Sequence, residues 1–87
     1  MNTHQPTSTV VRLILREVLE DESLELQGDE SLVHDLGLDS MTFLHLALQL
    51  EDFLQAPLNE DPENLPETVS DLIRLVEEQL EALAHVA

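Results

Sequence analysis

The chain has 87 residues, no cysteine, and 19 acidic residues against three arginines and no lysine, a formal net charge of −16. That length suits one small domain over residues 1–87 with a slim core, and the missing cysteines exclude disulfides and thiolate metal sites. The charge repels nucleic acid and anionic membrane and steers basic partners toward the chain. High acidity with few aromatics can also signal disorder, but 43% of the residues are hydrophobic and they recur with helical spacing. No apolar run is long enough to span a membrane. The beginning, Met1 to Pro6, lacks a basic secretory n-region, so a cytoplasmic protein is expected.

Residues 1–7 are expected to be flexible. A first helix is expected from about Ser8 to Glu20, where Val10, Val11, Ile14, Leu15, Val18 and Leu19 form an i, i+4, i+8 stripe. Thr7 or Ser8 can cap it. Asp21 to Asp39 then form a long connection with apolar pegs at Leu24, Leu26, Leu32, Val33, Leu36 and Leu38. A loop this long in a small domain is commonly functional, and the pegs indicate that it folds back onto the core.

A second helix is expected over Ser40 to Leu54. Phe43, Leu46, Ala47, Leu50 and Leu54 make one apolar stripe, and Met41, Leu44 and Leu48 make another, shared with His45 and Asp52. So small a bundle cannot bury both stripes, so the second is a candidate partner surface. Pro57, Pro62 and Pro66 interrupt the segment after this helix. A short helical turn is expected at Pro62 to Leu65 with Asp61 as its cap. The last helix is expected over Val69 to Leu83, opened by a capping box of Thr68 and Asp71. Its stripe is Val69, Leu72, Ile73, Val76, Leu80 and Leu83. The fold class is all-α, a small bundle of three main helices plus one short helix, with the long loop between the first two.

Most of the chain offers little for chemistry. His4, His34, His45 and His85 are scattered and form no zinc-binding helix motif. Gln27-Gly28-Asp29-Glu30 lacks the alternating ligands of a calcium-binding loop. There is no Gly-x-Ser-x-Gly elbow to make Ser40 a hydrolase nucleophile. Leu36-Gly37-Leu38-Asp39-Ser40-Met41 stands apart, because a glycine turn delivers an Asp-Ser pair to the start of an apolar helix. Taken alone, that pair is an ordinary helix cap.

With the long loop before it, the apolar helix after it and Thr68-Val69 opening the last helix, this motif resembles that of the acyl carrier proteins. The resemblance spans roughly Val10 to Leu80. The family motif is Asp-Ser-Leu, with Met41 here in place of the leucine. The resemblance implies that Ser40 carries 4′-phosphopantetheine, donated by coenzyme A through a phosphopantetheinyl transferase, and that Asp39 helps that enzyme and its cofactor bind. The chain would then hold acyl intermediates as thioesters for fatty-acid, polyketide or related specialised biosynthesis, and would not itself be an enzyme.

The implied partner face is Met41, Leu44, His45, Leu48, Glu51 and Asp52, extended by Leu58 and Glu60. The expected partners are the transferase and acyl- or aminoacyl-loading ligases and synthases with basic docking surfaces; the carrier is expected to be a monomer. Leu32, Leu36, Leu46, Leu50, Leu65 and Ile73 either simply fill the core or part to shelter cargo. Thr42 and His45 stand where the family commonly has Asp and Glu, which points to a specialised carrier. An aminoacyl cargo such as D-alanine stays open, as does an unmodified acidic adaptor in which Ser40 is only a cap.

Overall fold

The structure, a computed structural model, describes residues 6–58 and 65–84. Helices α1 (Thr7–Val18), α2 (Ser40–Leu54) and α3 (Val69–Ala84) pack against one another, giving the all-α bundle expected. Val11, Leu15, Leu46, Leu50, Val69 and Val76 are fully buried at the shared centre. Among the described residues no charged or polar side chain is buried, so the core is held by apolar packing alone. The expected short helix at Pro62 to Leu65 lies almost wholly outside the described residues, as does Glu60; Leu65 is described and has no regular structure.

Helix α1 differs from expectation at both ends. Neither Thr7 nor Ser8 caps it. Pro6 holds the N-cap position, and its carbonyl accepts from the Thr9 and Val10 N–H groups at 3.0 and 3.2 Å. Proline's fixed φ makes a good entry, and its missing N–H costs nothing there. The helix ends at Val18 rather than Glu20, because Glu20 adopts a left-handed conformation, φ +56°. Its N–H donates to Glu17 O and that of Asp21 to Arg16 O, which closes the last turn. Glycine usually takes that position, so a glutamate there leaves the sequence without a stop signal.

The loop from 19 to 39 is pinned on both sides. Leu26, Leu32 and Leu38 are buried and Leu24 and Leu36 pack against the core, as their spacing implies. Val33 is a correction: it is 60% exposed. On the α1 side, Arg12 Nε donates to Leu26 O at 3.0 Å and Arg16 Nε to Leu24 O at 2.7 Å. On the α3 side, Leu32 N donates to Glu67 O, Val69 N to Glu30 O and Ser70 N to Gly28 O, around an isolated antiparallel bridge between Ser31 and Thr68. Gly28 sits at φ +124°, and a Cβ there would meet Ser70 Oγ at 2.7 Å. The conformation favours glycine at that crossing, and a Cβ would also oblige the Ser70 side chain to move.

The Glu30 carboxylate accepts from the Gln27 and Gly28 N–H groups and ties off the approach to this crossing. The bond from Gln27, foremost among several, holds the Glu30 pKa below its ordinary value. The ionised form is thus favoured by folding. Its contribution is present above the ordinary carboxylate range and is lost as pH falls through the lowered folded value. At the start of α3, Thr68 Oγ1 accepts from Asp71 N and Asp71 Oδ2 accepts from Thr68 N, the capping box that the sequence indicates.

Candidate functional site

Residues 31 to 38 form a compact turn that aims the chain into α2. Asp35 N and Leu36 N both donate to Ser31 O, Gly37 N donates to Val33 O and Leu38 N to Leu32 O. Asp35 returns a carboxylate bond to Ser31 N at 2.7 Å, closing the turn on itself. Gly37 takes φ +70°, the left-handed corner that reverses the chain before Leu38 plugs into the core. The next two residues emerge at the surface. Asp39 caps α2, with Oδ1 accepting from Thr42 N at 2.8 Å, and Ser40 is the first helical residue.

Ser40 is exposed. Among the described residues no carboxylate or imidazole hydrogen-bonds its hydroxyl, and a serine nucleophile needs such a base. The hydroxyl stands at the positive end of the α2 dipole, which favours an attached phosphate. Asp39 tempers that attraction, because its carboxylate already occupies the Thr42 N–H. That bond, with the Thr42 side chain next, lowers the Asp39 pKa below its ordinary value. Asp39 thus stays ionised and stabilises the helix start until pH falls through its lowered folded value. Ser40, in contrast, is free to be modified without the loss of a structural bond.

Each turn of α2 sorts its residues between core and surface. Leu46, Ala47, Leu50 and Leu54 are buried and Phe43 is half-buried. On the opposite side Met41 is 76% exposed, Leu44 57% and Leu48 55%, beside exposed His45 and Asp52. The structure brings these five residues onto one surface that begins at Ser40. Two members of the expected face differ. Glu51 is half-buried and its Oε2 accepts from Leu58 N at 2.9 Å, so it ties down the chain after α2. Leu58 itself is buried in the core, a correction to its expected place on the partner face. A leucine in a proline-interrupted segment carries no periodicity from which its burial could be read.

The residues expected to line a cargo shelter divide. Leu32, Leu46 and Leu50 are sealed in the core, Leu36 and Ile73 pack at its edge, and Leu65 is exposed. An open cleft runs between the 31–34 turn, α2 and α3, with Leu32, Val33, Phe43, Leu65 and Leu75 among its lining. Three acidic side chains (Glu67, Asp71 and Glu78) and Arg74 stand at the same cleft. No group of side chains able to hold a metal ion occurs among the described residues. None of the described helices is long and apolar enough to cross a membrane.

The described residues form a bundle of three helices that presents an exposed serine at the start of its middle helix. Comparison with known proteins gives the class its name. Residues 9–76 match the family described as "Phosphopantetheine attachment site". An acyl carrier protein from Exiguobacterium sibiricum is 31% identical over 70 residues, covering 80% of this chain and 89% of that one. A solved structure from Mycobacterium tuberculosis, provisionally described as an acyl carrier protein, superposes with a TM-score of 0.73 at 25% identity, covering 83% of this chain and 96% of its own. The chain belongs to the acyl carrier protein family, whose cofactor is 4′-phosphopantetheine and whose members are carriers, not catalysts.

Proposed function

We propose that Ser40 is the attachment point of the 4′-phosphopantetheine arm, and that the chain carries acyl intermediates for a specialised pathway in the cytoplasm. The observation that carries this reading is the placement of Ser40: exposed, first in α2, at the end of a turn whose other residues are tied down. When bound, the arm supplies a terminal thiol for thioester chemistry that a cysteine-free chain lacks. The protein's own part is to hold the hydroxyl out, with Gly37 setting the turn and Asp39 fixing the helix start. Met41, Leu44, His45, Leu48 and Asp52 form the face that loading ligases and synthases read.

Thr42 and His45 support the specialised role. They place no negative charge on the first two turns of α2, so basic docking surfaces find less to grip beside the serine. Competition for cargo tests this reading. With the arm attached, the chain is expected to accept fatty-acid synthase intermediates much less well than a housekeeping acyl carrier protein does, and to be loaded by a dedicated ligase. Equal acceptance contradicts the specialised role. Efficient loading with an amino acid instead assigns an aminoacyl cargo.

A further inference from the structure

We infer that Phe43 bars the cargo from the core, so that this carrier takes short acyl groups and holds them in the open cleft beside the 31–34 turn. The inference rests on the carrier reading and on Ser40 as the modified residue. Phe43 lies one turn along α2 from Ser40, about 4.5 Å of rise. The phosphopantetheine arm is much longer than that rise, so its thioester reaches the cleft that Phe43 lines. Leu32, Phe43 and Leu75 stand both at this cleft and in or against the core, and so form the wall between the two. The core on the other side of that wall is closed. Leu46, Leu50, Leu72 and Val76 are each at most 1% exposed.

The wall is fixed in place. Leu32 is held by its turn: its N–H donates to Glu67 O and its carbonyl accepts from Leu38 N, both at 2.9 Å. Phe43 N donates to Asp39 O at 2.8 Å, the first bond of α2, so the root of the ring is locked to the helix cap. On a helix the ring has few rotamers, because one of the three staggered settings drives it into the preceding turn. Its rigid shape cannot thread aside as a methionine chain does. A cargo chain entering the core would have to turn this ring out into water and add its own methylenes to the apolar packing. Close-packed interiors resist such additions. The cleft itself is open to solvent, and Val33 and Leu65 in its lining are exposed. A chain lying there is covered on one side only, so each added methylene gains little burial. Length beyond the cleft wall leaves apolar surface in water, which disfavours long acyl cargo.

The probe is a series of straight-chain donors, butyryl-, hexanoyl-, octanoyl- and decanoyl-coenzyme A, used with a broad-specificity phosphopantetheinyl transferase. The Ser40 oxygen forms a bond to the pantetheine-side phosphorus and the pyrophosphate bond breaks. The hydroxyl proton passes to a base of the transferase and 3′,5′-adenosine bisphosphate leaves, so each acyl arm arrives whole. Intact mass checks the loading. The readouts are Tm by circular dichroism and the rate at which hydroxylamine cleaves the thioester.

In the parent, Tm is expected to stay within about 2 °C across the series and cleavage within about two-fold, because the chain never enters the core. Phe43→Ala opens the wall and is expected to turn length into stability. In that variant decanoyl is expected to raise Tm over butyryl by about 10 °C or more and to slow cleavage about five-fold. Phe43→Val is expected to show the same trend more weakly, and it takes the place of the alanine variant should that one fail to fold. Phe53→Ala, at the far end of the same helix, is expected to leave the series flat. The inference is overturned if Tm climbs or cleavage slows with length in the parent, or if a folded Phe43 variant is as flat as the parent. A parent that gains no mass refutes the carrier reading itself, whereas a loaded parent whose stability follows chain length refutes only this inference.

Discussion

Leu50→Ala is expected to unfold a large share of the molecules near body temperature. Leu50 is fully buried in the cluster where the three helices meet. A leucine-to-alanine change at such a site removes transfer energy and leaves a cavity, costing about 2.7 to 5 kcal/mol. At roughly 0.05 to 0.15 kcal/mol per residue, the whole domain is stable by only about 4 to 13 kcal/mol. A loss of about 3 kcal/mol in so small a domain lowers Tm by roughly 12 to 24 °C. Leu44→Ala, on the exposed side of the same helix, serves as the contrast and is expected to stay within about 0.5 kcal/mol of the parent. Thermal melts followed by circular dichroism separate them. Equal shifts at the two positions contradict the division of α2 into buried and exposed sides.

Arg12→Ala combined with Arg16→Ala is expected to release the long loop. These are two of the chain's three cations, and each guanidinium is committed to a backbone carbonyl, Leu26 O for Arg12 and Leu24 O for Arg16. A hydrogen bond to a charged group contributes about 1.5 to 3 kcal/mol. Both sites are only partly buried, so the pair together is expected to contribute about 2 to 4 kcal/mol. Their loss also makes an already acidic chain more self-repulsive. Hydrogen exchange should show lost protection from about Leu24 to Leu32, more than in the α2–α3 contact, together with a lower urea midpoint. Unchanged protection in that loop contradicts the clamp. Lysine at either position is a poor substitute, because its ammonium is a flexible point charge without the planar guanidinium fork.

These two cases show which parts of the fold the sequence announces. Core positions on the helices follow from period, and the Thr68–Asp71 box and the Asp39 cap follow from side-chain chemistry at fixed offsets; all are local signals. The end of α1 is also local, but a glutamate in the left-handed corner gives no sign of itself. Val33 and Leu58 depend on packing partners distant in sequence, so the one reads as a peg and is exposed, and the other reads as surface and is buried. The arginine clamps were illegible for a further reason: their acceptors are carbonyls, which every residue possesses. At the candidate site the Asp39–Ser40 pair and the exposed stripe were legible because both lie on one helix. The diversion of Glu51 to Leu58 N was not.

The intact mass of the chain after incubation with coenzyme A and a broad-specificity phosphopantetheinyl transferase, measured beside Ser40→Ala, bears most directly on the central claim. Among the described residues the Ser40 side chain makes no hydrogen bond that the variant would lose, so the variant is expected to stay folded. The parent is expected to gain the mass of one phosphopantetheine arm and Ser40→Ala to gain nothing. A parent that gains nothing, or a Ser40→Ala variant that gains the arm, contradicts the assignment of Ser40 as the covalent handle.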